Sequence, residues 1–158
     1  MKYFEWFKIE NRINRYTIKS YNLFCEKSGI KNTSNNFDDN FKLCWCAENN
    51  KLSYVKYLIK KGVDVNGADN CALIHSVKKG NYEITKILLK AGANVFARHG
   101  RPLAQALENE DIKIANLLLK YDADLSMINE EKIEVLMNLG SKNIKNLLKE
   151  NMSDVYEI

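Results

Sequence analysis

Apolar positions recur along this chain at a constant step of thirty residues. Leu43, Leu73, Leu103 and Ile133 occupy one column, Tyr54, Ile84, Ile114 and Ile144 a second, and Leu58, Leu88, Leu118 and Leu148 a third. Val65, Val95 and Leu125 form a fourth, while Gly62 and Gly92 align with Asp122. The columns align without a gap. Self-similarity at a period between about 20 and 50 residues marks an array of stacked units rather than one closed core.

Within a unit the spacing is helical twice. Apolar or small residues stand at i, i+3 and i+4 in Leu43-Cys46-Ala47, Leu73-Ser76-Val77 and Leu103-Ala106-Leu107, which places them on one face of a short first helix. The small residues allow a neighbouring helix to approach closely. A turn follows, spelled AENNK, VKKGN, LENED and MNLGS. Its fourth residue (Asn50, Gly80, Glu110 or Gly140) must accept a left-handed conformation to cap the helix. Glu110 is the least suited, so strain or a shifted turn is expected there. Second helices are predicted over about 53–61, 82–91, 112–121 and 142–150. Gly62 and Gly92 stop them, and the lysines just before suit the negative end of the helix dipole. One helical pair cannot bury its own apolar face, so neighbours must stack. Four layers at roughly 8–10 Å each extend about 35 Å.

The segments LCWCAENNKLSYVKYLIKKGVDVN (43–66), LIHSVKKGNYEITKILLKAGANV (73–95) and LAQALENEDIKIANLLLKYDADL (103–125) resemble the ankyrin repeat. The resemblance implies an all-α solenoid of about four stacked helix-turn-helix units at 37–66, 67–96, 97–126 and 127–151, with a tail at 152–158. The period is thirty, where the usual unit has 33. The shortfall lies in the loop between Val65 and Leu73, so the hairpin fingers of an ankyrin array are expected to be stubby. Arg101-Pro102-Leu103 keeps a trace of the family's Thr-Pro-Leu-His start, but Cys44, Ile74 and Ala104 stand where its histidine would be. The thirty-residue form is similar to the ankyrin families of giant DNA viruses of the mimivirus type, which implies a viral protein acting in host cytoplasm. In the fourth unit Lys145 and Lys149 replace smaller or apolar residues, as a polar terminal cap requires.

Residues 1–36 leave the register. They are helical in pattern and rich in aromatics (Phe4, Trp6, Phe7, Tyr16, Tyr21, Phe24). The expectation is an N-terminal helical cap over Leu43 and Tyr54; a partner-recruiting motif is the alternative.

Composition changes this picture little. Apolar residues make up 46% and charged residues 28% of 158, with one proline, which is globular and favours helices. A net charge of +4 arises from 24 basic and 20 acidic residues that are interleaved, not gathered on the single basic face expected of a nucleic-acid binder. If nucleic acid or an anionic surface were bound, Lys78, Lys79, Arg98 and Arg101 would do it. There is no apolar leader and no run of about 20 apolar residues. A cytoplasmic chain with Cys25, Cys44, Cys46 and Cys71 reduced is therefore expected.

Candidate chemistry is sparse. Cys44 and Cys46 point to nearly opposite sides of a helix, Cys46 shares the packing slot of Ser76 and Ala106, and no metal is expected. His75 shares a column with Trp45 and Gln105 and is expected to face the next unit's first helix. No phosphate loop and no nucleophilic triad occurs, so neither catalysis, a cofactor nor a small-molecule substrate is expected. The resemblance instead implies a monomeric protein-interaction module. Its contact residues would be Glu48, Asn49, Lys78, Lys79, Glu108 and Asn109 at the ends of first helices, with Phe96, Arg98 and Met127 as anchors from the loops.

Overall fold

The computed structural model describes residues 39–152; the expected cap at 1–36 and the tail beyond 152 lie outside the described residues. Among the described residues eight α-helices form four pairs: α1 (Asp39–Glu48) with α2 (Leu52–Lys60), α3 (Gly67–Lys78) with α4 (Tyr82–Lys90), α5 (Ala97–Glu108) with α6 (Ile112–Leu119), and α7 (Glu130–Leu139) with α8 (Lys142–Met152). A one-turn 3-10 helix, Leu125–Met127, precedes α7, and no strand occurs among the described residues. The first helices α1, α3 and α5 pack side by side as one layer, and α2, α4, α6 and α8 form the second. The chain is an all-α solenoid.

The thirty-residue columns are the core. Leu43, Leu73 and Leu103 are 1%, 0% and 0% exposed and Ile133 8%, so the column is buried in all four units. Tyr54, Ile84, Ile114 and Ile144 are buried, as are Leu58, Leu88, Leu118 and Leu148. Between them lies a slot for small side chains: Cys46, Ser76 and Ala106 are fully buried. In the second unit this slot is polar. The Ser76 and Thr85 hydroxyls lie 3.0 Å apart, and each also reaches a helix carbonyl, Leu73 O at 2.9 Å and Asn81 O at 3.1 Å. Burial without such partners would cost free energy.

Of the two outcomes expected at Glu110, strain or a shifted turn, the structure has the strained one. The turn is not shifted: Asp111 N donates to Ala106 O at 2.9 Å, as Asn81 N does to Ser76 O and Lys51 N to Cys46 O. Glu110 takes φ +53°, close to Asn50 at +54° and Gly80 at +69°. The repeated hydrogen bonds impose the left-handed residue, and a side chain with a Cβ accepts that conformation at a cost. Gly140 is the one that departs, with φ −64° and ψ 160°.

No hairpin finger is formed where the loop is short. Ala68, Asp69 and Asn70, and again Arg98, His99 and Gly100, form left-handed runs leading into the regular turns of α3 and α5. Each loop begins with the same device. The side chains of Asp64, Asn94 and Asp124 accept a hydrogen bond from the backbone N–H two residues on, at 2.9, 2.9 and 2.8 Å. Such local bonds let a short polar side chain set a turn. The two at Ser126 hold the Asp124 carboxyl below its ordinary pKa.

Candidate binding surface

The structure divides the predicted contact residues between two edges of the array. Glu48 and Asn49, Lys78 and Lys79, and Glu108 and Asn109 stand where α1, α3 and α5 end; Phe96 and Met127 lie in the connections before first helices, and Arg98 in the left-handed opening of α5. A helix of ten to twelve residues is about 15–18 Å long, so the nine residues do not share one patch.

The turn edge is laced across units. Lys79 Nζ lies 3.5 Å from Glu48 Oε1. Glu108 pairs with Lys132, and with Arg101 at 3.6 Å. Asn49 donates back to Trp45 O at 2.9 Å. Asn109 Nδ2 donates to Lys78 O at 3.1 Å, and Asn81 Nδ2 to Ala47 O at 2.8 Å and Glu48 O at 3.2 Å. Helix C-termini carry carbonyls without intrahelical partners, and these amides supply partners from the following unit. Asn81 did not emerge from the sequence reading. The signal was available, since an amide just after each first helix is the group that can reach its predecessor's last carbonyls. At the array's first edge, Asp39 accepts from Lys42 and Lys61 at 2.7 and 2.8 Å. Partial burial alone would raise its pKa, but the two ammonium groups outweigh that and hold it below the ordinary carboxylate value.

The loop edge is held differently. Asn66 bridges successive loops, donating to Gly92 O at 3.1 Å and accepting from Asn94 N at 2.8 Å. Arg98 pairs with Asp69 at 2.7 Å. Phe96 and Met127 stand 42% and 44% exposed. Gly100, at φ +72°, lies under Met127: an added Cβ would come 3.1 Å from Met127 Cβ. Left-handed backbone and close approach both favour glycine there.

Two expectations about single residues are corrected. His75 faces the preceding unit, not the following one, with Nδ1 3.3 Å from Glu48 Oε2. Cys44 and Cys71 are joined in a disulfide between α1 and α3, with Cα atoms 5.4 Å apart. Cys46 remains a thiol, and burial pushes its pKa up to about 12. Column arithmetic finds residues that are equivalent; these pairs are residues that touch. Both pairs are 27 residues apart. That is one unit less about one helical turn, the shift between stacked first helices.

No helix among the described residues is long and apolar enough to cross a membrane. A search of curated proteins returns no significant match. The family described as Ankyrin repeats (3 copies) matches residues 16–99 and 43–129. Those matches span well over half of the 158 residues, they include every column of the first three units, and the chain belongs to the ankyrin-repeat family.

Proposed function

We propose that this chain is a non-enzymatic protein-binding array whose loop edge carries the anchors, engaging a host protein if its source is a virus. Ankyrin repeats are in general protein-interaction modules and typically not enzymes. The observation that carries the reading is the exposure of Phe96 and Met127 on successive loops, beside an Arg98 already oriented by Asp69. Aromatic, Met and Arg side chains are enriched where proteins meet, and pre-ordered anchors lose less entropy on binding. Glu48, Asn49, Lys78, Lys79, Glu108 and Asn109 would form a second, polar contact row. The units at 37–66, 67–96, 97–126 and 127–151 act as one monomeric platform. A footprint of roughly 800 Å² spans two to four units.

The alternative, binding of nucleic acid or an anionic surface through Lys78, Lys79, Arg98 and Arg101, is less favoured. Three of those four already stand in ion pairs, with Glu48, Asp69 and Glu108. The test is capture of partners by the wild type and by the Phe96→Ala/Arg98→Ala double variant, at two salt concentrations. Loss of the same prey in the double variant, by about 2 kcal/mol or more for a true anchor, supports the loop edge; unchanged prey rejects it. Steep weakening with salt would favour phosphate contacts instead.

A further inference from the structure

We propose that Cys44, Cys71, His75 and Glu48 form a zinc site that the chain occupies when the Cys44–Cys71 disulfide is reduced. Cys44 and Glu48 are four residues apart on α1, and Cys71 and His75 are four apart on α3. Residues at that spacing share one helix face. The offset of 27 between stacked first helices turns the two faces toward each other. The two sulfurs and a ring nitrogen of His75 all lie within 4.8 Å of one another. Zinc takes four ligands of this kind tetrahedrally, at about 2.3 Å from sulfur and 2.0–2.1 Å from nitrogen, which sets its ligands about 3.3–3.8 Å apart. The sulfurs are held closer than this by their bond, and they part to that spacing once the bond is reduced.

Two further observations point to a cation. His75 Nδ1 is buried and has no hydrogen-bond partner; Glu48 Oε2 is 3.3 Å away but out of line for a hydrogen bond. A metal ion between them satisfies both. Lys79 sits against the other carboxylate oxygen of Glu48, Oε1, so it can remain while Oε2 turns to the metal, in the manner of a partner that orients a ligand. Cys46 is fully buried in the core and lies two residues from Cys44, on nearly the opposite side of the helix, which excludes it as a ligand.

The chemistry balances with a dithiol as reductant. The Cys44–Cys71 S–S bond breaks, the dithiol gives up two electrons and two protons and closes to its own disulfide, and two cysteine thiols result. Zinc then displaces both thiol protons to solvent and forms two Zn–S bonds. Disulfide and metal are mutually exclusive staples of the first two units.

The experiment uses the full chain, reduced anaerobically with a water-soluble phosphine, which takes an oxygen from water and does not compete as a thiol. Titration with Co2+ is followed by absorption, then Zn2+ is added. The expected result is one equivalent per chain, with tetrahedral d–d bands and a sulfur-to-cobalt charge-transfer band, all abolished by Zn2+. The oxidised chain gives none of these bands and serves as a control that needs no substitution. Cys71→Ser removes the charge-transfer intensity or halves it, and His75→Ala and Glu48→Gln each weaken binding by at least about 10-fold, the lower bound known for loss of an outer partner. Far-UV circular dichroism verifies that each variant is folded. Cys25→Ser and Cys46→Ser leave the spectrum unchanged. The proposal is overturned if the reduced chain shows only weak octahedral bands, if His75→Ala binds as tightly as wild type, or if the signal depends on Cys25 or Cys46.

Discussion

The second and third units and the fourth share a register but not a way of packing. In the inner units the slot at the helix crossing holds Ser76 and Ala106, and α3 and α5 lie in close contact. In the fourth unit the same column holds Leu136, followed by Met137. A bulky side chain in a small slot keeps a helix at a distance, and α5 approaches the 3-10 turn more closely than it approaches α7. The outer flank of α7 is correspondingly open, with Val135 53% and Leu139 81% exposed. The entry differs too. Left-handed runs lead into α3 and α5, whereas α7 starts from an Asn129 cap that accepts from Glu131 N at 2.8 Å. A repeat is thus two separable properties: a column of apolar residues, which the fourth unit keeps, and small residues for close approach, which it lacks.

The largest test of this contrast is a pair of truncations in one column. Leu103→Ala, fully buried between neighbours on both sides, should cost about 3–5 kcal/mol, and Ile133→Ala, next to the stand-off helix, nearer 2 kcal/mol. Urea denaturation of both variants measures the gap; equal losses would mean that the fourth unit is packed as tightly as the others.

A smaller effect is expected where the chain enters the fourth unit. Asp122 takes φ +64° at the position where Gly62 and Gly92 end their helices. Asp122→Gly removes the Cβ penalty of a left-handed residue and should raise stability by up to about 1 kcal/mol. No gain, or a loss, in thermal unfolding would show that the aspartate is not strained there.

The smallest effect belongs to the first edge. Asp39 has its pKa lowered in the folded chain, so its stabilisation is complete above the ordinary carboxylate value and disappears as pH falls through the lowered one. Asp39→Asn should therefore narrow its stability deficit against wild type on acidification. A deficit that stays constant from neutral pH into the acid range would refute the ion-pair account.

Much of the fold was legible because helices are local. Tyr54, Leu58 and Val65 announce their unit by spacing alone, and the stop glycines mark its end. At Glu110 the sequence left strain or a shifted turn open, and the turn hydrogen bond shared by the first three units decides for the strained left-handed residue. The surface was less legible. Glu48 and Lys79 are remote in sequence, and their pairing depends on how far one first helix slides along the next.

Sequence alone determined the period, the helices and the residues that must be buried, since each follows from contacts within a few turns of one chain segment. Tertiary structure alone decided the 27-residue shift between first helices. That shift brings Cys44 to Cys71 and Glu48 to His75. It is set by side chains interlocking between units, which no single unit contains.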